Sequence, residues 1–410
     1  MLRSLFSGIT GLRAHQTMMD VVGNNIANVN SVGFKSSNVV FEDTLSQQLR
    51  SAGAPTPTTG GMNPAQVGLG VKIAGVNTNF TQGAAQLTGR STDMMIQGDG
   101  FFVTQAQGQQ LYTRAGAFSL DAQGNLTTPD GALVMGWQAD SYGKLDTNAS
   151  PSPVNLPVGT LLPPNATTSV TVGGNIPAET PAGTTIAATI NCYDAQGTVH
   201  PLKASFTPVP DPADPTGATK LPNQWNLVAD DNGSTVGTAV VSFDPTTGAL
   251  TSPTSLPITF SGGATATVNL SGVTQYAGAN TLAATDQNGS GMGSLQGYTI
   301  SPDGVMEGVF SNGLKRPLAQ IAMATFNNPP GMEKVGNSSY RATTNSGAAQ
   351  IGVSGTGGRG LISGGALEMS NVDLAAEFTQ LIVSERGFQA NSRVITSADE
   401  ILQDLVNLKR

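Results

Sequence analysis

The sequence predicts a mainly β protein with an α-helix at each end, and three observations predict it. Apolar residues recur at helical spacing at the two ends of the chain and only there. Proline avoids the same ends: of 24, none precedes Pro55 and none follows Pro330, which leaves both ends free to be helical. Between them, short alternating runs are divided by glycines and by Asp-x-x-Gly signals, the pattern of strands joined by tight turns.

At the N-terminus, Leu2, Leu5, Ile9, Leu12, Met19, Val22, Ile26 and Val29 step by three or four, with Gln16 in the one gap. That spacing places one apolar face on a helix from about Leu2 to Val29. Gly8, Gly11 and Gly23 weaken it by up to ~1 kcal/mol each relative to Ala. The Asn- and Gly-rich run from Asn24 through Asn28 to Gly33, Phe34 and Lys35 ends it, because these residues tolerate the left-handed conformation of a helix exit. The following stretch, Thr44 to Gly70, is rich in Gly, Pro and Thr and is expected to gain its order on assembly.

From about Val71 to Tyr142 come short alternating runs such as Phe101-Phe102-Val103 and Gln110-Leu111-Tyr112-Thr113. A similar texture resumes near Tyr298 and continues to about Val353. These read as two halves of one β-domain. The insertion that splits them holds 16 of the prolines, between Pro151 and Pro257. Asp121-Ala122-Gln123-Gly124 and Asp194-Ala195-Gln196-Gly197 each precede a strand, and Asp244 to Leu250 and Pro302 to Met306 are looser versions. The Asp side chain opens the turn and Gly takes the positive φ.

At the C-terminus, Leu374, Phe378 and Leu381 begin a second stripe. Phe388 and Ile395 carry it on, and Ile401, Leu402, Leu405 and Leu408 finish it. Asn371 or Asp373 can cap this helix, and Lys409 and Arg410 complement its C-terminal dipole. The expected organisation is nested. Residues 1–30 and 371–410 form a helical core domain, with the two helices paired as a coiled coil. Residues 31–70 and 358–370 connect; 71–145 and 285–357 make a split inner β-domain; 146–284 is an inserted outer β-domain.

Magnitudes say what the ends are for. Ordering a residue costs on the order of 1–2 kcal/mol in backbone entropy, and a fully buried Leu, Ile or Phe returns roughly 1.5–3 kcal/mol. A two-helix coiled coil buries one seam, and interrupted heptads make weak zippers. The tips are therefore expected to be mobile in a lone molecule and ordered when other copies cover the remaining apolar positions. Heterologous burial of that kind closes a ring or runs on as an open helical polymer.

Composition narrows the function further. Charged residues make up 11%, against roughly 25% in an average soluble protein. The net charge of -8 argues against nucleic acid or an anionic membrane as partner. No run reaches the ~18 apolar residues of a membrane span, and the N-terminus lacks the pattern of a cleavable signal. Cys192 is the single cysteine, so no intramolecular disulfide forms.

No catalytic, cofactor or metal site is expected. Cys192 and His200 could be imagined as a thiol dyad; a small buried thiol near a turn histidine explains them better. His15 and His200 are the only histidines, and no His/Cys cluster exists. Asp121, Gln123 and Asn125 imitate the first ligands of a calcium loop, but Gly is missing at the sixth position and no Glu closes it. Gly98-Asp99-Gly100 lacks the spacing of a phosphate-binding loop. A secreted β-rich adhesin and a Cys192 hydrolase are the alternatives to a polymer subunit. The adhesin would not need two apolar helical ends, and an unimpaired Cys192→Ala variant would exclude the hydrolase.

At Asn24-Asn25-Ile26-Ala27-Asn28 with Gly33-Phe34-Lys35, and again from Gly365 to Asn391, the chain resembles the axial proteins of the bacterial flagellum, the rod and hook family. Asn24-Asn25-Ile26-Ala27-Asn28 through Gly33-Phe34-Lys35 is similar to their N-terminal signature. Gly365-Ala366-Leu367-Glu368, Ser370-Asn371-Val372-Asp373-Leu374, Glu377-Phe378 and Arg386-Gly387-Phe388-Gln389-Ala390-Asn391 are similar to their C-terminal segment. Gly98-Asp99-Gly100-Phe101-Phe102 and Tyr112-Thr113-Arg114-Ala115-Gly116-Ala117-Phe118 are internal matches. The large inserted β-domain favours the hook branch over the shorter rod proteins. The resemblance implies a tubular homopolymer that bends while it rotates, a universal joint between rod and filament. It also implies rod, hook-cap and hook–filament-junction proteins as partners, and export through the flagellar type III apparatus to a place outside the cell.

Overall fold

The computed structural model describes residues 2–57, 59–140, 143–156, 159, 161–214 and 219–407. The side chains of Leu2 and Leu405, and Leu408, Lys409 and Arg410 entirely, lie outside the described residues. The fold is mainly β with a helix at each end. Helix α1 spans Leu2–Ala27 and α2 spans Leu374–Asn407. The first ends slightly earlier than expected. Asn28 donates from its side chain to the Asn24 carbonyl (2.9 Å), and its backbone N–H reaches the carbonyls of both Asn24 and Asn25, so the last turn closes on itself. At the start of α2, Asp373 rather than Asn371 is the cap: its Oδ1 accepts the N–H of Ala375 at 2.9 Å.

The chain divides into two compact units. The first comprises Met1–Pro157, Tyr298–Gly308 and Arg316–Arg410, and the second Val158–Gly297 with Val309–Lys315.

In the first unit, β1 (Ser37–Asp43), β2 (Ser46–Arg50), β3 (Ala65–Gly68) and β4 (Val71–Thr78) follow α1. Strand β1 pairs antiparallel with β4, and β2 with β3, so Thr44 to Gly70 is a two-stranded ribbon. Further along, strands from both halves of the chain share one antiparallel sheet. Lys315–Ile321, Leu133–Gln138, Phe101–Ala106, Gln109–Thr113, Ser339–Arg341 and Glu333–Gly336 lie in it side by side. One face of the sheet carries Phe101, Val103, Tyr112, Trp137, Phe326 and Tyr340, all buried. Edge-to-face ring contacts join Phe101 and Tyr112 to Phe326.

The second unit sets a five-stranded sheet against a four-stranded one over a shared core. Its strands read inward at every second residue: Leu202, Ala204 and Phe206; Trp225, Leu227 and Ala229; Ala266, Val268 and Leu270. The Asp-x-x-Gly signals fall where the sequence puts them. Asp121 Oδ1 accepts the N–H groups of Gln123 and Asn125, both at 2.8 Å, and Asp194 Oδ1 those of Gln196 and Thr198. Gly124 and Gly197 close the two turns at φ +81° and +85°, a conformation that a Cβ would strain. The Asn125 carboxamide, which donates to Asp121 Oδ2, and then the backbone N–H groups hold the Asp121 carboxyl below the usual carboxylate range, and the Thr198 N–H chiefly does so for Asp194.

Candidate assembly surface

The two terminal helices lie antiparallel, and the residues that meet show it. Gly8 of α1 lies against Ile395 of α2, and Gly11 against the Asn391 carboxamide. The His15 ring covers Gly387, and the Ser384 hydroxyl donates to the His15 carbonyl (2.8 Å). Asn25 Nδ2 donates to Glu377 Oε1 (2.9 Å). The seam is thus made of small and polar residues: Gly8, Gly11 and Ala14 on one side, Ser384, Gly387, Asn391 and Ala398 on the other. A side chain on Gly11 would collide with Asn391, so the glycines, a cost to the isolated helix, are what permit the close approach.

This seam lies beside the apolar stripe read from the sequence, not on it. Val22 is buried, but Leu5, Leu12, Met19 and Ile26 are half-buried along its edge, and Ile9 is exposed. On α2 the stripe of seven-residue steps drifts across a straight helix. Leu374 and Phe378 lie outside the seam, Leu381, Phe388 and Leu402 are half-buried, and Ile395 lies against Gly8 of α1. Large apolar side chains are left in the open: Phe378, Ile382, Val383 and Ile401 are 50%, 57%, 57% and 52% exposed. The ribbon adds more, with Leu45 at 86% and Leu49 at 62%. A two-stranded ribbon with neither face covered is marginal in water. Contiguous apolar surface of this kind marks a place where other molecules bind.

Behind the helices is a junction that sequence reading missed. Lys35, Arg114 and Glu368 come from three separate motifs and are buried together. Lys35 Nζ donates to Glu368 Oε1 (2.6 Å) and to the Thr81 carbonyl (2.7 Å), and both side chains of this ion pair are fully buried. Arg114 Nη1 lies 3.5 Å from Glu368 Oε2 and stacks its guanidinium over Phe101. Gly83 donates its N–H to the same carboxylate at 2.9 Å. Burial pulls the Lys35 ammonium and the Arg114 guanidinium below their ordinary values, and Glu368 opposes that in both.

Around it, Gly33 N–H donates to the Glu368 carbonyl (2.7 Å) and Ser36 N–H to Asn371 Oδ1 (2.8 Å). Asn25 exchanges two hydrogen bonds with the backbone of Ser37. The outgoing and returning chains are therefore fastened to each other where they leave the helix pair. Gly33 is buried here, while Asn28 and Phe34 are half-buried and shape the exit turn. A signal existed: in a chain so poor in charge, a Lys, an Arg and a Glu sit inside otherwise uncharged Gly- and Ala-rich motifs.

Cys192 and His200, imagined as a dyad, are cross-strand partners. The Cys192 thiol is buried and pushed up to about 11 by that burial, with the Asp231 charge adding to it. His200 turns its Nδ1 to Asp231 instead, at 2.8 Å, and Asp231 also accepts from the Ser261 hydroxyl. A thiol held neutral is a poor nucleophile.

Helices paired at the ends of one chain, with β-units strung between them, define the class of flagellar axial proteins. Four family models agree along the chain: "Flagella basal body rod protein" at residues 5–35, "Flagellar hook protein FlgE/F/G D1 domain" at 95–176, "Flagellar basal body protein FlaE D2 domain" at 164–290 and "Flagellar basal body rod FlgEFG protein C-terminal" at 363–408. The flagellar hook protein FlgE of Borreliella burgdorferi is 39% identical over the full length of both chains. That of Salmonella typhimurium is 34% identical over 99% of this chain and 100% of its own. A rod protein, the flagellar basal-body rod protein FlgG of Bacillus subtilis, is 32% identical over both full lengths. The crystal structure of the Helicobacter pylori flagellar hook protein FlgE2 shares the fold, with a TM-score of 0.54 at 16% identity over 69% of this chain and 100% of that one. The chain belongs to the flagellar hook protein FlgE family.

Proposed function

We propose that this chain is the structural subunit of a bacterial flagellar hook, polymerising into a flexible helical tube that carries torque from rod to filament. The observation that carries the reading is the apolar surface that the terminal helices leave uncovered while glycines bring their seam close. Residues Leu5, Ile9, Leu12, Leu374, Phe378 and Ile401 are assembly residues, covered in the tube by further copies. The sandwich of the second unit, with a surface rich in Thr, Ser, Asn, Gln and Gly, lies on the outside. Such a surface offers many replaceable, water-mediated contacts, which a bending joint can exchange at little cost.

The partners are further copies of the chain and, at the tube's two ends, other axial proteins. The subunit travels through the flagellar type III apparatus and works outside the cell. A rod role is the second reading, favoured by the full-length likeness to a rod protein. Electron microscopy of a strain lacking the gene separates the two. Loss of the curved extracellular segment with the rod intact supports the hook; loss of the rod overturns it.

A further inference from the structure

Three Asn-Gly pairs occur in the chain, Asn232-Gly233, Asn288-Gly289 and Asn312-Gly313. Such a pair can react with itself, because no Cβ shields the glycine's backbone nitrogen from the carboxamide before it. Two groups must be free for this: the amide nitrogen that attacks and the carboxamide that is attacked. The fold treats the three pairs differently.

At two of them both groups are tied. Asn288 Oδ1 accepts the N–H groups of Thr168 and Ser169 (2.9 and 3.0 Å), and its Nδ2 donates to the Thr168 hydroxyl (2.7 Å). Gly289 N–H donates to Gln287 Oε1 at 2.6 Å. Asn312 Nδ2 donates to the Gly291 carbonyl (2.9 Å), and its Oδ1 accepts the Leu314 N–H (3.2 Å). Gly313 N–H donates to the Phe310 carbonyl at 2.9 Å.

The third pair is open. Asn232 and Gly233 form the exposed two-residue loop between the strands Lys220–Asp231 and Ser234–Phe243. Their φ angles of +47° and +89° are those of a tight hairpin turn. The ladder closes on the Asp231–Ser234 pair, which leaves the Gly233 N–H outside it. Neither that N–H nor the Asn232 carboxamide has a hydrogen-bond partner among the described residues. A Cβ built on Gly233 would meet nothing within 4 Å, so the loop also has room to move.

We infer that Asn232 is a site of spontaneous modification, deamidation through a cyclic imide, which the fold leaves open here and closes at Asn288 and Asn312. The Gly233 nitrogen bonds to the Asn232 carboxamide carbon, the bond from that carbon to Nδ2 breaks, and ammonia leaves carrying the Gly233 proton. Water then opens the imide at either carbonyl, leaving aspartate or isoaspartate in place of Asn232. Both products put a new negative charge beside Asp230 and Asp231. Isoaspartate also adds a methylene to the main chain of a loop whose length sets the hairpin register. The reaction needs only the folded sandwich and water, whether or not the chain polymerises.

Peptide mass mapping of the full-length chain, held at mildly alkaline pH and sampled over weeks, tests this. Each hydrogen bond that ties a reacting group adds to the barrier. Asn232 is therefore expected to convert at least roughly tenfold faster than Asn288 or Asn312, equivalent to about 1.4 kcal/mol of barrier. Both aspartate and isoaspartate should appear, each carrying label when the water is enriched in heavy oxygen. In concentrated urea the three pairs should react at similar rates. Conversion of Asn288 or Asn312 as fast as Asn232 in the folded chain overturns the assignment. So does a preference for Asn232 that survives unfolding, because the fold would then not be its cause.

Discussion

The helix pair and the inserted sandwich bury themselves by opposite means. In the sandwich, large residues such as Trp225, Phe206 and Leu270 point inward at every second position and are fully covered. In the helix pair, the seam goes to Gly8, Gly11, Gly387 and Ser384, and Phe378 and Ile401 are left outside. The sandwich is complete as a single molecule. The helices are complete against each other only along one close line, and their large side chains wait for more surface. A domain that satisfies itself suits the outside of a tube, and one that does not suits its wall.

The largest effects test whether each region stands by its own rule. Trp225→Ala removes the largest fully buried side chain and is expected to cost about 3–5 kcal/mol. Calorimetry should place that loss in the sandwich transition, with helicity retained. Glu368→Ala leaves Lys35 buried without its counter-charge and Arg114 with only the charge of Asp99, at a cost of about 3–5 kcal/mol. Here the helices and the first unit's sheet should lose stability together, because the junction fastens both. If helicity melts unchanged, the junction does not hold the ends.

Next is the seam. Gly387→Leu pushes a side chain into the His15 ring and is expected to cost about 1–3 kcal/mol of helix pairing, read by the thermal loss of helical signal. The same enlargement at exposed Gly23 of α1, where nothing lies within 4 Å of a Cβ, changes that signal far less. Equal effects would remove the distinction between a seam of small residues and an ordinary surface.

A smaller, pH-dependent effect sits at Glu377. Burial raises its carboxyl above the ordinary range, with the Asp373 charge adding to it, while the hydrogen bond from Asn25 opposes. A carboxyl raised in the folded state costs stability once ionised, so the cost is present at neutral pH and vanishes as pH falls through the ordinary carboxylate range. Glu377→Gln keeps an acceptor for Asn25 and is expected to raise the melting temperature at pH 7 and leave it unchanged near pH 3. A gain of equal size at both values would contradict the assignment.

Much of this was legible in the chain. Proline placement marked the helical ends, period-two runs marked the strands, and Asp121 and Asp194 announced their turns by side chain and glycine together. The apolar stripe on each helix was visible too, but its reading as the mutual seam was incomplete. A hydrophobic period says which residues avoid water; it does not say whether the cover is the partner helix or another molecule. The signal for the seam was the three-residue spacing of Gly8, Gly11 and Ala14, which looked only like a weakness in the helix. The Lys35–Glu368–Arg114 junction left only a faint signal, three charges in otherwise uncharged motifs, for a different reason. Its members are far apart in the chain, and long-range pairing of single charges leaves no local periodicity.

The most direct test follows one side chain from monomer to tube. With Cys192→Ser as background, Ile401→Cys places a thiol on the exposed flank of α2, and its rate of modification by a small maleimide is measured before and after assembly. Rapid labelling in the monomer and strong protection in the tube are expected. A thiol that stays equally reactive in well-formed tubes would contradict the claim that other copies cover these helices.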